Sequence, residues 1–172
     1  MGFVRTHYLD TSVIVKLLVK EIGSDRIRSY LRKQTTFYTT SLCFAETLGV
    51  LKGMYMGKRH KERISEKEYL DACDELMARV HGESICIDEK TEIATPETYR
   101  EVEALVEKYN LDVADAFQIV ALKKGIFSIF RGEAEPILVT ADGKLAKAAN
   151  KEGVRAWNIL EEPEPIAVEP SD

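Results

Sequence analysis

A chain of 172 residues with 45% hydrophobic content is long enough to bury one sizeable core. None of its apolar runs approaches the roughly 20 residues that a membrane-spanning helix needs, and no signal-peptide pattern marks the start, so a cytoplasmic location without membrane contact is expected. The formal charge of −5 comes from segment 161–172, which carries five acids and no base; outside it 24 Asp plus Glu face 24 Lys plus Arg, a poor match to a protein that coats DNA non-specifically.

Taken in chain order, the elements alternate. Phe3–Leu9 reads as a strand, followed by helices over Thr11–Lys20 and Ser24–Lys33. Thr35–Thr39, rich in Thr and aromatic residues, reads as a short strand. Ser41–Tyr55 and Ser65–Val80 read as helices, the second opened by a Ser65/Glu68 capping box. Ser84–Asp88 is an expected strand, and Thr95–Lys108 a helix with Pro96 in its first turn. Asp112–Lys124 is a helix ended by Gly125; Pro136–Thr140 a strand; Lys144–Lys151 a helix ended by Gly153; Val154–Ile159 a final strand. Such alternation favours an α/β fold, a central, mainly parallel sheet with helices on both faces. In such sheets ligands bind beyond the carboxyl ends of the strands.

That rule selects acids. Asp10 follows the apolar pair Tyr8-Leu9, and Asp142 follows the strand Ile137-Leu138-Val139-Thr140, so two strands deliver an Asp to one sheet edge. Each also has an ordinary structural explanation as a helix N-cap or, at Asp142-Gly143, a turn. Glu46 shares a helical face with Leu42, Gly49, Val50 and Gly53, where a carboxylate is costly if the face packs inward unpaired. Asp115 falls in the first turn of a helix for which Asp112 has the N-cap spacing. Four converging carboxylates would repel and raise one another's pKa. A hard cation with oxygen ligands, Mg²⁺ or Mn²⁺, removes that conflict and can activate water against a phosphodiester.

Four stretches, Tyr-Leu-Asp-Thr-Ser at 8–12, Ser-Leu-Cys-Phe-Ala-Glu at 41–46, Leu-Asp-Val-Ala-Asp-Ala-Phe-Gln at 111–118 and Ile-Leu-Val-Thr-Ala-Asp at 137–142, come in the order found in PIN-domain proteins, which the chain resembles. The resemblance implies a single PIN-like domain over 1–160; the chain departs from the most compact members in 54–82, a helical extension within it, and in 161–172, an acidic, Pro-containing tail whose composition predicts disorder. It implies Asp10, Glu46, Asp115 and Asp142 as catalytic metal ligands, with Thr11, Ser12 and Thr140 as polar neighbours. It also implies Mg²⁺ or Mn²⁺ as cofactor and endonucleolytic cleavage of RNA. The family includes toxins of toxin–antitoxin pairs, so an antitoxin protein is an expected partner if the chain is a toxin. A homo-oligomer is expected too.

Two rival classes stand beside this reading. A phosphatase with an aspartyl nucleophile would present a second Asp two residues after Asp10, where this chain has Ser12. A non-catalytic RNA- or protein-binding module is the other. No P-loop, Gly-x-Ser-x-Gly or Gly-x-Gly-x-x-Gly motif is present. The basic run Lys58, Arg59, Lys61 and Arg63 is either a solvated loop or a contact for RNA phosphates. Leu70, Cys73, Leu76, Met77 and Val80 suggest an apolar stripe on the helix that follows. Cys43, Cys73 and Cys86 show no CxxC and no metal spacing with the histidines, and read as small core residues.

Overall fold

Ile137, Leu138, Val139 and Thr140 are all buried, as expected of a strand covered on both faces. They form β4 of one five-stranded sheet in the computed structural model, which describes residues 6–32, 37–57, 63–126, 128 and 136–165. The other strands are β1 (His7–Leu9), β2 (Phe37–Thr40), β3 (Ile85–Asp88) and β5 (Ala156–Asn158). Their order is β3-β2-β1-β4-β5 and every pairing is parallel. The seven α-helices are α1 (Thr11–Leu18), α2 (Ser24–Leu31), α3 (Ser41–Met56), α4 (Glu66–His81), α5 (Pro96–Tyr109), α6 (Val113–Lys124) and α7 (Gly143–Lys151).

The period-two alternation of each strand builds two cores. Tyr8 and Leu138 point to one face and pack with Phe117, Ile119, Leu145 and other residues of α5, α6 and α7. Leu9, Ile137 and Val139 point to the other and pack with Val13, Ile27 and Leu76 of α1, α2 and α4. A third cluster, including Val15, Leu51, Met54 and Ala72, fastens α4 to α1 and α3, so the inserted helix is integrated with the rest.

Local signals fix the helix starts. Ser65 and Glu68 form the reciprocal capping box, and Thr95 caps α5 with Pro96 in the first turn. α5 ends where Asn110 takes φ 54, a left-handed conformation that Asn tolerates.

Several expectations need correction. Leu70 and Met77 of α4 are 53% and 40% exposed; the buried side is centred on Ala72 and Leu76. Of the three cysteines, only Cys43 is fully buried. Residues 3–5 of the expected first strand, residues 33–36, and Lys58, Arg59 and Lys61 of the basic run lie outside the described residues; Arg63 is described and exposed. The acidic segment begins as part of the fold. Glu161 and Glu162 donate backbone N–H bonds to the Asn158 carbonyl, and the Glu162 carbonyl accepts from Arg26 and from the Trp157 indole.

Leu138→Ala should destabilise the protein by about 2–5 kcal/mol, because it opens a cavity in a layer with no room to collapse. Leu70→Ala should stay within about 0.5 kcal/mol. Urea unfolding of both variants measures the contrast.

Candidate functional site

The sheet order reverses beside β1. The chain leaves β1 for β2 and β3 on one side, then returns to β4 and β5 on the other. Helices diverge at such a point, and the crevice opens beyond the carboxyl ends of the strands. Asp10 is the first residue after β1, Thr140 the last of β4, and Asp142 lies two residues on. α3 brings Glu46 and α6 brings Asp115 to the same place. The resulting cleft, of about 300 Å³, is lined by Asp10, Glu46, Asp112, Asp115 and Asp142, by Thr11 and Ser12, and by the Lys16–Glu21 pair. All four acids singled out from the sequence therefore share one cleft.

Asp10 is only 3% exposed, so its carboxylate must be satisfied from within. Its Oδ2 accepts from the Ser12 hydroxyl at 2.5 Å, the Thr140 hydroxyl at 2.8 Å and the Ser12 N–H at 3.3 Å. Its Oδ1 accepts from the Gln118 amide at 3.2 Å. Both hydroxyls are themselves oriented by backbone, since Ala141 N–H donates to Ser12 Oγ and Asp142 N–H to Thr140 Oγ1, each at 2.9 Å. Burial pushes the Asp10 carboxyl above its usual range, while the Ser12 and Thr140 bonds pull it back. Oδ1 keeps a lone pair for a ligand.

Of the two orientations open to Glu46, the outward one holds: it is exposed and lines the cleft. Its Oε2 accepts from the Thr11 hydroxyl at 2.7 Å, which ties α3 to the start of α1. Asp142 caps α7, its Oδ1 accepting from the N–H groups of Lys144 and Leu145. The ordinary role and the site role thus coexist at Asp10 and Asp142: one side-chain oxygen starts a helix and the other remains for a ligand. Asp112 occupies the N-cap position of α6 without a side-chain capping bond, contrary to its spacing.

Asp115 records the electrostatics of the whole cleft. Its carboxyl is pushed up to about 8, first by burial and then by Asp10, Asp142, Glu46 and Asp112. Among the described residues lining the cleft there are six acids and one base, and that base, Lys16, is held by Glu21 at 2.9 Å. The donor atoms are oxygens throughout. Cys43 lies beside Asp10, but burial pushes its thiol up to about 12 and Gln118 bonds its sulfur. An oxygen-only set with surplus negative charge suits a hard divalent cation such as Mg²⁺ or Mn²⁺ better than zinc. Among the described residues, no three acid, His or Cys side chains converge tightly enough to ligate one ion as they stand. Uncompensated like charges hold carboxylates apart.

Gln118 and the Lys16–Glu21 pair were not assigned roles from the sequence. Gln118 is fully buried, lies three residues after Asp115 on the same helix and is the residue that reaches Asp10 Oδ1. An amide inside the otherwise apolar run Phe117–Leu122 was its sequence signal.

A family model described as PIN domain matches residues 7–151, a span that contains all four acids. Among solved structures, the chain is similar to PAE2754 from Pyrobaculum aerophilum, with a TM-score of 0.54 and 14% identity over 86% of this chain and 87% of that one. At that identity the likeness speaks to the fold. No curated protein matches the chain.

Raising the pH should expose the strain in the cleft. The folded-state pKa of Asp115 lies above its unfolded value, so its favourable contribution is complete below about pH 4 and is lost as pH rises towards 8. Metal-free protein should therefore lose stability between about pH 4 and 8, the window between the two pKa values. Asp115→Asn should flatten the profile and stabilise the protein at the alkaline end by at least about 1 kcal/mol, roughly one pKa unit's worth. Thermal melting in chelator across that range checks both.

Proposed function

This chain belongs to the PIN-domain family, a nuclease-type fold, and from that premise we propose that it is a metal-dependent endoribonuclease. RNA phosphodiester bonds would be hydrolysed in the cleft of Asp10, Glu46, Asp115 and Asp142. The observation that supports this most is the gathering of six acids in one cleft, where burial and then four acidic neighbours push the Asp115 carboxyl up and no described side chain offsets the charge.

Members of the family typically use divalent metals. Bound Mg²⁺ or Mn²⁺ would supply Lewis acidity, activating water and offsetting charge on the phosphodiester. The chain's own residues do the rest. Asp10 is the fixed ligand, since Ser12, Thr140 and Gln118 hold it in one orientation. Glu46 and Asp142 each keep an oxygen without a donor among the described residues, and would complete the ligand set from α3 and α7. Asp115, pushed up to about 8 by burial and then by its acidic neighbours, holds a proton at neutral pH and would have to release it to serve as a ligand, which would couple metal binding to pH. Expected products carry a 5′-phosphate and a 3′-hydroxyl.

The phosphatase alternative fits poorly. The position two residues after Asp10, where that class presents a second Asp, is Ser12, and its hydroxyl is committed to Asp10 Oδ2. Toxin action with an antitoxin partner is part of the same proposal. Lys58, Arg59, Lys61 and Arg63 remain proposed RNA contacts. α3 carries the chain about 16 Å from Glu46 to Gly57 before Arg63 follows, so such contacts would engage the strand away from the scissile bond.

EDTA should abolish cleavage of single-stranded and structured RNA, and Mg²⁺ or Mn²⁺ should restore it. Asp10→Asn, Glu46→Gln and Asp115→Asn should each reduce cleavage by more than the ~10–100-fold expected for supporting residues such as Gln118 or Thr140. Circular dichroism should show all of these variants folded. Undiminished cleavage by the three acid variants would overturn the proposal and favour a binding module.

A further inference from the structure

A second cavity lies at the opposite edge of the sheet, where β2 and β3 begin. It is larger than the acidic cleft, at about 490 Å³. Leu17, Leu31 and Phe37, each 5% exposed, close its floor. Three guanidinium groups stand around it: Arg28 and Arg32 from the end of α2, and Arg79 from the last turns of α4. Among the described residues lining it, the one acid, Glu75, is already engaged, since its Oε1 accepts from Arg79 Nε at 3.0 Å and Nη2 at 2.6 Å. In a chain whose formal charge is −5 this cavity carries a surplus of two positive charges.

Basic residues near helix C-termini have an ordinary role, neutralising the negative end of the helix dipole. That role accounts for each arginine on its own helix. It does not account for two helices turning their arginines into one concave space of the size that small ligands occupy. Nor are these groups loosely held. Arg28 Nε donates to the Leu17 carbonyl at 3.2 Å, and Arg79 is fixed by Glu75, so two of the three forks are pre-oriented at little further entropy cost. Guanidinium groups stay charged at all working pH values and match phosphate oxygens with paired N–H bonds.

We propose that this cavity, walled by Arg28, Arg32 and Arg79, binds the phosphate of a ligand of nucleotide size. That phosphate belongs either to a free phosphorylated small molecule or to an RNA strand. The site is separate from the acidic cleft and does not depend on any role assigned there.

The test uses the full chain in EDTA, which removes metal-bridged binding of phosphate at the acids. Inorganic pyrophosphate is titrated by calorimetry, and a fluorescein-labelled single-stranded decaribonucleotide by anisotropy. The proposal expects saturable binding of at least one probe, weakened by added salt. Arg32→Gln, which alters an exposed residue at the end of α2, should weaken that binding about tenfold, as the loss of a charge-assisted contact implies. Adding Arg79→Gln should weaken it further, and thermal melting verifies that each variant is folded. Should the double variant not fold, Arg32→Gln alone decides. Binding of pyrophosphate alone identifies a free ligand; binding of the oligonucleotide, with or without pyrophosphate, identifies a strand. Absence of saturable binding below about 1 mM for both probes, or equal affinity in Arg32→Gln, overturns the proposal.

Discussion

A buried carboxylate that must be satisfied governs this protein. Asp10 sits at the carboxyl end of the central strand, 3% exposed, and takes hydrogen bonds from α1 through Ser12, from β4 through Thr140 and from α6 through Gln118. These bonds fix where α1 departs and how β4 meets β1. They also fix how α6 packs across the sheet. Removing any one donor leaves a charge under-solvated in a low-dielectric interior, so the network stands or falls as a unit. The same network leaves Oδ1 with capacity to spare, and through it the structural constraint becomes a binding feature.

Around that fixed point the fold accumulates charge instead of neutralising it. Glu46, Asp115 and Asp142 arrive from three helices, and the lysine that could offset them is turned to Glu21. A protein selected for stability alone would have placed a cation or an apolar residue at Asp115. The cost of holding that carboxyl near a pKa of 8 is the kind of local strain that persists at functional sites because the two cores on either side of the sheet sustain it. The arginine-walled cavity at the other sheet edge shows the opposite sign, so the α2–α4 side of the molecule separates its charges along the strand direction.

Local chemistry was legible in the sequence where it is self-contained. The capping box at Ser65, the proline opening α5 and the acids that end β1 and precede α7 all announce themselves within four residues. Strand order made the acids' convergence intelligible but could not be read without the fold. Glu46 shows what periodicity misses. Its helical neighbours left open whether that face packs inward, and only the fold shows Glu46 and Val50 lining the cleft. On α4 the expected stripe holds at Cys73, Leu76 and Val80, which pack into the cores, and fails at Leu70 and Met77, which stay exposed. Gln118 and the Arg28, Arg32 and Arg79 grouping depend on contacts spanning tens of residues, and no spacing rule reaches that far.

Under the proposed function, a cation bound in the cleft would relieve the charge conflict held on Asp115. Calorimetric titration of Mn²⁺ into chelator-treated protein, repeated at pH 7 in buffers of different ionisation enthalpy, addresses it most directly. The account predicts saturable binding that releases close to one proton per protein at pH 7 and much less at pH 9, because Asp115 is protonated at the first and largely ionised at the second. Absence of saturable binding, or proton release that persists unchanged in Asp115→Asn, would contradict it.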